Sequence, residues 1–182
     1  VLSKTPGNTV SNLSSTRALQ DVTRKHKGKY EAAAVGEVNV VEKMKATGAI
    51  IGGEGNGGII YPKLHYGRDA LVGIALFLTQ LAETKMSVKE LRDTYPNYFI
   101  SKNKIELTAS IDVDQILSNI EDKYRNERIT TVDGLKIDFD DGWVHLRKSN
   151  TEPIIRIYAE SDGEENANAF AYKMIDEIKA QI

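Results

Sequence analysis

Ten consecutive residues, Arg147-Lys148-Ser149-Asn150-Thr151-Glu152-Pro153-Ile154-Ile155-Arg156, hold more anion-binding chemistry than any other stretch of the chain. Two hydroxyls and an amide sit on residues that tolerate turn backbone, so side chains and free N–H groups can converge on one anion. Arg147 and Arg156 flank them. A guanidinium presents a planar fork that meets two phosphate oxygens at once, which a lysine ammonium does not do. A second such stretch is Gly52-Gly53-Glu54-Gly55-Asn56-Gly57-Gly58, a tight loop around one carboxylate whose two oxygens both accept hydrogen bonds. Other chemistries lack their residues. His26, His65 and His145 stand at no metal-ligand spacing, and neither Gly-x-Ser-x-Gly nor His-Glu-x-x-His occurs. Asp138-x-Asp140-Asp141-Gly142 places its glycine one residue early for a calcium loop and has Ser149 where that loop needs Glu. It reads as a hairpin with solvated acids.

These residues need elements to position them. Val144 and Leu146 alternate with His145 and Arg147, and Ile155 and Ile157 alternate with Arg156 and Tyr158, the period of two half-buried strands. The Ser-Asn-Thr loop then joins two strands, with both arginines on one side. The glycine loop follows a predicted strand at 49–51, at a strand end where open α/β sheets commonly place ligands. Its spacing Gly53-x-Gly55-x-x-Gly58 imitates a dinucleotide-binding motif, which requires a helix to open at the glycines. Here Ile59-Ile60-Tyr61-Pro62 follows, an extended signal, so that reading is rejected.

Upstream, residues 9–13 predict a strand, Ser14, Ser15 and Thr16 helix caps, 32–35 a strand and 38–47 a helix, an alternation that implies parallel pairing. The helix over 71–82 is apolar almost all round and is expected to be buried between layers. Arg68, just before it, could reach a ligand cleft, but a surface arginine at a helix start is the preferred reading. Ser87-x-x-Glu90 is a capping box, and Tyr95-Pro96-Asn97 marks a domain boundary. Beyond it come a strand at 104–108, a helix at 113–124, turns at Asp133-Gly134 and Asp141-Gly142 that bracket a strand, and a last helix through Phe170, Met174 and Ile178.

The chain has 182 residues, 24 Lys plus Arg against 26 Asp plus Glu, a net charge of −2 and no cysteine. That balance gives no case for a nucleic-acid partner, and the missing cysteines exclude disulfides and thiolate metal sites. No apolar run reaches the ~20 residues of a membrane span and no signal peptide is visible. The expectation is a cytoplasmic protein without a membrane partner. Because it begins at Val1 without a methionine, it reads as a piece of something longer.

The Arg-x-Ser-Asn-Thr-Glu-Pro run resembles the Arg-x-Ser-Gly-Thr-Glu-Pro phosphate-binding loop of the α-D-phosphohexomutases, the family of phosphoglucomutase, phosphomannomutase and phosphoglucosamine mutase. Asn150 stands where most members have Gly, and asparagine tolerates left-handed backbone better than most residues. The glycine loop likewise resembles the family's Gly-Glu-x-Ser-Gly sugar-binding loop, with Glu54 on its glutamate and Asn56 in place of its serine. The resemblance implies an α/β chain. Residues 1–94 would be most of a mixed α/β three-layer sugar-binding domain, the family's third, lacking its first strand. Residues 97–182 would be its phosphate-binding fourth, an α+β domain with a four-stranded antiparallel sheet and two helices.

For function, the resemblance implies an intramolecular phosphotransferase that moves a phosphoryl group between O1 and O6 of a hexose through a hexose 1,6-bisphosphate, using a phosphoserine and Mg2+. This chain would supply substrate binding: Glu54 and Asn56 on the sugar, and Arg147, Ser149, Asn150, Thr151 and Arg156 on the phosphate. No catalytic nucleophile and no metal ligand is expected in it, since those motifs belong to the family's N-terminal domains, its expected partners in one polypeptide. Nothing in the sequence chooses among glucose, mannose and glucosamine. The alternative is a stand-alone phosphosugar-binding or interaction module.

Overall fold

The structure is a computed structural model that describes residues 1–108, 111–149 and 152–182. It divides into two compact units, Val1–Asn97 and Tyr98–Ile182.

In the first unit, β1 (Thr9–Asn12), β2 (Tyr30–Ala33) and β3 (Ile51–Gly53) pair in parallel with β1 at the centre, and β4 (Ile59–Ile60) adds to β3 antiparallel, giving the mixed order β2-β1-β3-β4. The crossovers carry α1 (Ala18–Lys25) and α2 (Glu37–Thr47). Stepping outward from β1 to β2 and back across to β3 with right-handed connections places these helices on opposite faces, which makes the three layers. Val10, Ala33, Val40, Met44, Ala49 and Ile60 form the core between sheet and α2. The hydroxyls of Thr9 and Thr23 tie β1 to α1 at 2.6 Å.

Two local expectations need correction. The expected caps of α1 serve it only in part: Arg17 holds the N-cap position without a side-chain cap bond, Thr16 Oγ1 accepts from Ala18 N–H at 3.2 Å, and the Ser15 hydroxyl is turned inward onto Asn12 Oδ1 at 2.8 Å. More consequentially, the apolar helix α3 (Ala70–Thr84) is not buried between layers. None of its residues is buried, and Leu71 is 77 % and Leu78 56 % exposed. It meets the sheet edge through Gly73, where a Cβ would stand 2.8 Å from Ile59 Cγ1, and a cavity of about 860 Å³ separates it from α1, lined by Leu2, Val22, Ile51, Leu76 and Phe77 among others. Periodicity reports that a face is apolar and not what covers it. The short α4 (Val88–Asp93) follows, opened by the expected capping box of Ser87 and Glu90.

The second unit runs β5 (Phe99–Glu106), α5 (Val113–Lys123), β6 (Arg128–Thr130), β7 (Leu135–Asp138), β8 (Gly142–Lys148), β9 (Ile154–Ser161) and α6 (Glu164–Lys179). Its antiparallel sheet has five strands, in the order β5-β9-β8-β7-β6, rather than four. The extra strand, β6, has a single apolar residue, Ile129, opposite Ile137, too little alternation to announce itself. Val113, Ile116 and Ile120 of α5 and Ala171, Met174 and Ile178 of α6 pack on Ile105, Leu135, Val144, Leu146, Ile155 and Ile157. Both helices therefore use one face of the sheet. Side chains alternating with that set occupy the other face, and there the site residues of this unit stand.

Candidate functional site

The glycine loop of the first unit is a β-hairpin connection between β3 and β4, closed by Glu54 N–H to Gly58 O at 3.0 Å and by Gly57 N–H to Glu54 O at 3.2 Å. A strand follows the glycines, not the helix that the rejected dinucleotide reading required. Asn56 is exposed, and its Oδ1 accepts from Gly58 N–H at 3.1 Å, so half of its amide braces the loop. Glu54 is the opposite of a dangling loop carboxylate, with a side chain only 5 % exposed. Its Oε1 accepts from Asn12 Nδ2 at 2.9 Å and from Gly36 N–H at 3.0 Å, and its Oε2 lies 3.4 Å from Arg68 Nη1. Ser15 donates to Asn12 Oδ1 and so turns the Asn12 amide nitrogen toward Glu54. Hydrogen bonds to a carboxylate contribute ~1.5–3 kcal/mol each, which offsets the cost of burying one at this depth.

Asn12, Ser15 and Gly36 were not legible as site residues, and Arg68, able to reach a cleft, reads first as a surface arginine. Asn12 and Ser15 come from the β1–α1 connection, Gly36 from the β2–α2 connection and Arg68 from the start of α3, and the sheet order β2-β1-β3-β4 brings those three ends together. The one available signal was positional: strand ends and helix starts at one edge of an α/β sheet.

In the second unit, Arg147 on β8 and Arg156 on β9 are cross-strand partners, on the face away from the helices, and Lys104 of β5 is the next partner of Arg156 along the same row. Like charges directly opposite one another destabilise a sheet unless something neutralises them. The neutralisation among described residues is thin. Arg147 Nη1 stands 3.6 Å from Asp133 Oδ2, Arg156 Nη2 stands 3.4 Å from Glu152 Oε2, and Arg156 Nε is buried without a hydrogen-bond partner. Ser149 is buried, with its N–H on Ile154 O at 3.0 Å, so the strands stay paired up to the loop mouth. Asn150 and Thr151 lie outside the described residues. One row further along the same face, His145 is buried and its Nε2 lies 2.6 Å from Asp133 O. Burial pushes its pKa down, and Lys136 and Arg147 add to that, so the ring is neutral near pH 7. Its bond to Asp133 fixes the segment whose carboxylate steadies Arg147. Among the described residues no group of three or more His, Asp or Glu side chains is placed to hold a metal ion, and no helix is long and apolar enough to cross a membrane.

Two family models match in the same order. Residues 2–98 match the description "Phosphoglucomutase/phosphomannomutase, alpha/beta/alpha domain III" and residues 101–177 "Phosphoglucomutase/phosphomannomutase, C-terminal domain". The chain belongs to the phosphoglucomutase/phosphomannomutase family. It is 36 % identical over 172 residues to a phosphoglucosamine/phosphogalactosamine mutase of Sulfurisphaera tokodaii, a match covering 93 % of this chain and 37 % of that protein. A solved phosphoglucomutase/phosphomannomutase family protein from Burkholderia thailandensis superposes with a TM-score of 0.76 at 25 % identity, over 99 % of this chain and 39 % of that one. The same fold occurs in an Aspergillus fumigatus N-acetylphosphoglucosamine mutase solved with glucose 1,6-bisphosphate, with a TM-score of 0.71 at 16 % identity over 97 % of this chain and 39 % of that one. The chain thus spans less than half the length of these relatives.

Proposed function

We propose that this chain is the substrate-binding C-terminal part of a phosphohexomutase, an enzyme that interconverts hexose 1-phosphate and hexose 6-phosphate through a hexose 1,6-bisphosphate. In this reading Glu54 and Asn56 hold sugar hydroxyls, while Arg147, Ser149, Asn150, Thr151 and Arg156 hold the phosphate that is not being transferred. The observation that carries it is the cross-strand pair of guanidiniums, Arg147 and Arg156, flanking the Ser-Asn-Thr loop, with the buried Nε of Arg156 lacking a hydrogen-bond partner among the described residues. A phosphate dianion would offer that row the charge it lacks. Glu152 is too weak a substitute: its contact with Arg156 is a single 3.4 Å pair between side chains 55 % and 38 % exposed, a class worth about 0–1 kcal/mol, which an incoming phosphate displaces.

Such grips suit phosphoryl transfer, where positioning and charge neutralisation supply most of the acceleration. The reaction also needs a phosphorylated serine to give and recover the phosphoryl group, and Mg2+ to neutralise developing charge. Both are expected on other parts of a longer polypeptide, and the chemistry of the present residues is restricted to binding and orientation. The sugar is a hexose phosphate, with glucose, mannose and their 2-amino forms all within the range of the family. The test is turnover. A longer polypeptide that contains this chain, given Mg2+ and glucose 1,6-bisphosphate, is expected to convert hexose 1-phosphate to hexose 6-phosphate. The 182-residue chain alone is expected to convert none. Turnover by the chain alone, or none by the longer polypeptide on any of these sugars, would overturn the proposal.

A further inference from the structure

We infer that Arg68 is a positioning residue of the sugar-side grip, anchored by Glu37, that holds Glu54 Oε2 toward the ligand and offers a guanidinium nitrogen to the same sugar. This rests on the reading of Glu54 as a hydroxyl acceptor and extends it to two residues outside both loops.

Glu37, the first residue of α2, grips Arg68 twice: its Oε2 accepts from Arg68 Nε at 2.8 Å and its Oε1 from the Arg68 backbone N–H at 3.0 Å. These bonds, backbone first, hold the Glu37 carboxyl below the usual glutamate range, so the anchor is charged at neutral pH. The backbone behind Arg68 is braced as well. Asp69 caps α3 through Val72 N–H at 3.0 Å and donates its own N–H to Ile59 O at 2.7 Å, while His65 Nδ1 accepts from Gly67 N–H at 2.9 Å. The stem of Arg68 then lies across Gly58 of the glycine loop, where a Cβ would come within 2.7 Å of Arg68 Cδ. The final glycine of the loop therefore does more than make a turn: it leaves the passage that this arginine fills.

The two oxygens of Glu54 consequently have different company. Oε1 is taken by Asn12 and Gly36, both parts of the scaffold, whereas Oε2 meets Arg68 alone among the described residues, at a long 3.4 Å. Oε2 is the oxygen with capacity left for a sugar hydroxyl. Arg68 is 46 % exposed along its side chain, and its Nη2 makes no bond among the described residues, so the guanidinium can donate to the hydroxyl beside the one that Glu54 accepts from. The ligand class follows from this pairing: a neutral polyol ring with adjacent hydroxyls, one donating to a carboxylate and one accepting from a guanidinium.

The test is NMR on the 182-residue chain, comparing the parent with Arg68→Ala, Arg68→Lys and Glu37→Gln. The Gly36 amide and the Asn12 side-chain amide report on Glu54 directly, without ligand. Both signals are expected to move in Arg68→Ala and in Glu37→Gln. Affinity for glucose 6-phosphate is expected to fall roughly tenfold in Arg68→Ala, the loss of one charge-assisted bond, with only partial rescue by Arg68→Lys, whose ammonium lacks the fork. Unchanged Gly36 and Asn12 signals, or parental affinity in Arg68→Ala, would overturn the assignment. If the parent chain itself does not bind glucose 6-phosphate, the proposed function fails first, and the ligand-free signals still decide whether Arg68 positions Glu54.

Discussion

Replacing Arg147 with lysine separates binding from stability more cleanly than any other change in this chain. The side chain projects from β8 beside the Ser-Asn-Thr loop, directly across from Arg156, and its protein partner is Asp133 Oδ2 at 3.6 Å, with side chains 26 % and 24 % exposed. A pair that long and that hydrated contributes less than about 1 kcal/mol, and relief of the repulsion from Arg156 offsets part of it. Arg147→Lys should thus leave the unfolding midpoint of the second unit nearly where it was. Binding is another matter. A guanidinium makes two charge-assisted bonds to phosphate where an ammonium makes one, and a bond of this kind is worth ~1.5–3 kcal/mol, a factor of roughly 10–100 in affinity. The parent chain, holding three or four such bonds against the cost of ordering the ligand, is expected to bind hexose 6-phosphate with a dissociation constant on the order of millimolar. Arg147→Lys should raise it at least about tenfold, measured by calorimetry or by titration of amide shifts. Equal affinities in the two proteins would refute the reasoning, and so would a loss of affinity matched by a large loss of stability.

Three further predictions follow from the site geometry. Glu54→Gln keeps the shape of the side chain but replaces one of two carboxyl oxygens that meet Asn12, Gly36 and Arg68 with an amide nitrogen that cannot accept, so urea unfolding of the first unit should show a loss of about 1.5–3 kcal/mol beside weaker sugar binding; an unchanged midpoint would show that these bonds carry little. Gly58→Ala places a Cβ in the path of the flexible Arg68 stem, so the arginine should swing away, and the Gly36 amide signal should move as it does in Arg68→Ala while the fold persists. His145 has a folded pKa below its unfolded value of ~6.5, so the unfolded state binds more protons in between. Its contribution to stability is complete above that unfolded value and is lost as pH falls through it toward the lower folded value. Denaturation followed by the fluorescence of Trp143, the chain's one tryptophan, should show the second unit weakening from pH 7.5 to 5.5, with a smaller slope in His145→Gln.

Sequence pattern revealed those parts of the molecule where a local period or a turn signal coincides with the element. The alternation around Arg147 and Arg156 placed both on one face, and the register pairs them. Ile59-Ile60 read as extended, and β4 is there. The misses share a different cause, since they depend on partners distant in sequence. Arg128-Ile129-Thr130 becomes a strand only because β7 offers it an edge. The hydroxyl of Ser15, an expected cap, goes to Asn12, and the environment of Glu54 is assembled from residues 12, 36 and 68, which nothing short of the sheet order would bring together. The apolar perimeter of α3 was plain in the sequence, but its exposure was not, because covering a face is a property of neighbours rather than of the helix.

The Arg147–Arg156 row and its loop are proposed to hold the phosphate of a phosphohexose. The most direct measurement is a titration of the isotope-labelled 182-residue chain with glucose 6-phosphate, followed at the amides of residues 147–152 and at the Nε signals of Arg147 and Arg156, with unphosphorylated glucose as control. The account predicts saturable shifts at these positions with the phosphosugar and not with glucose, and smaller ones at the Gly55–Gly58 amides. Phosphosugar shifts confined to surfaces remote from Arg147 and Glu54, or the same response to glucose alone, would contradict it.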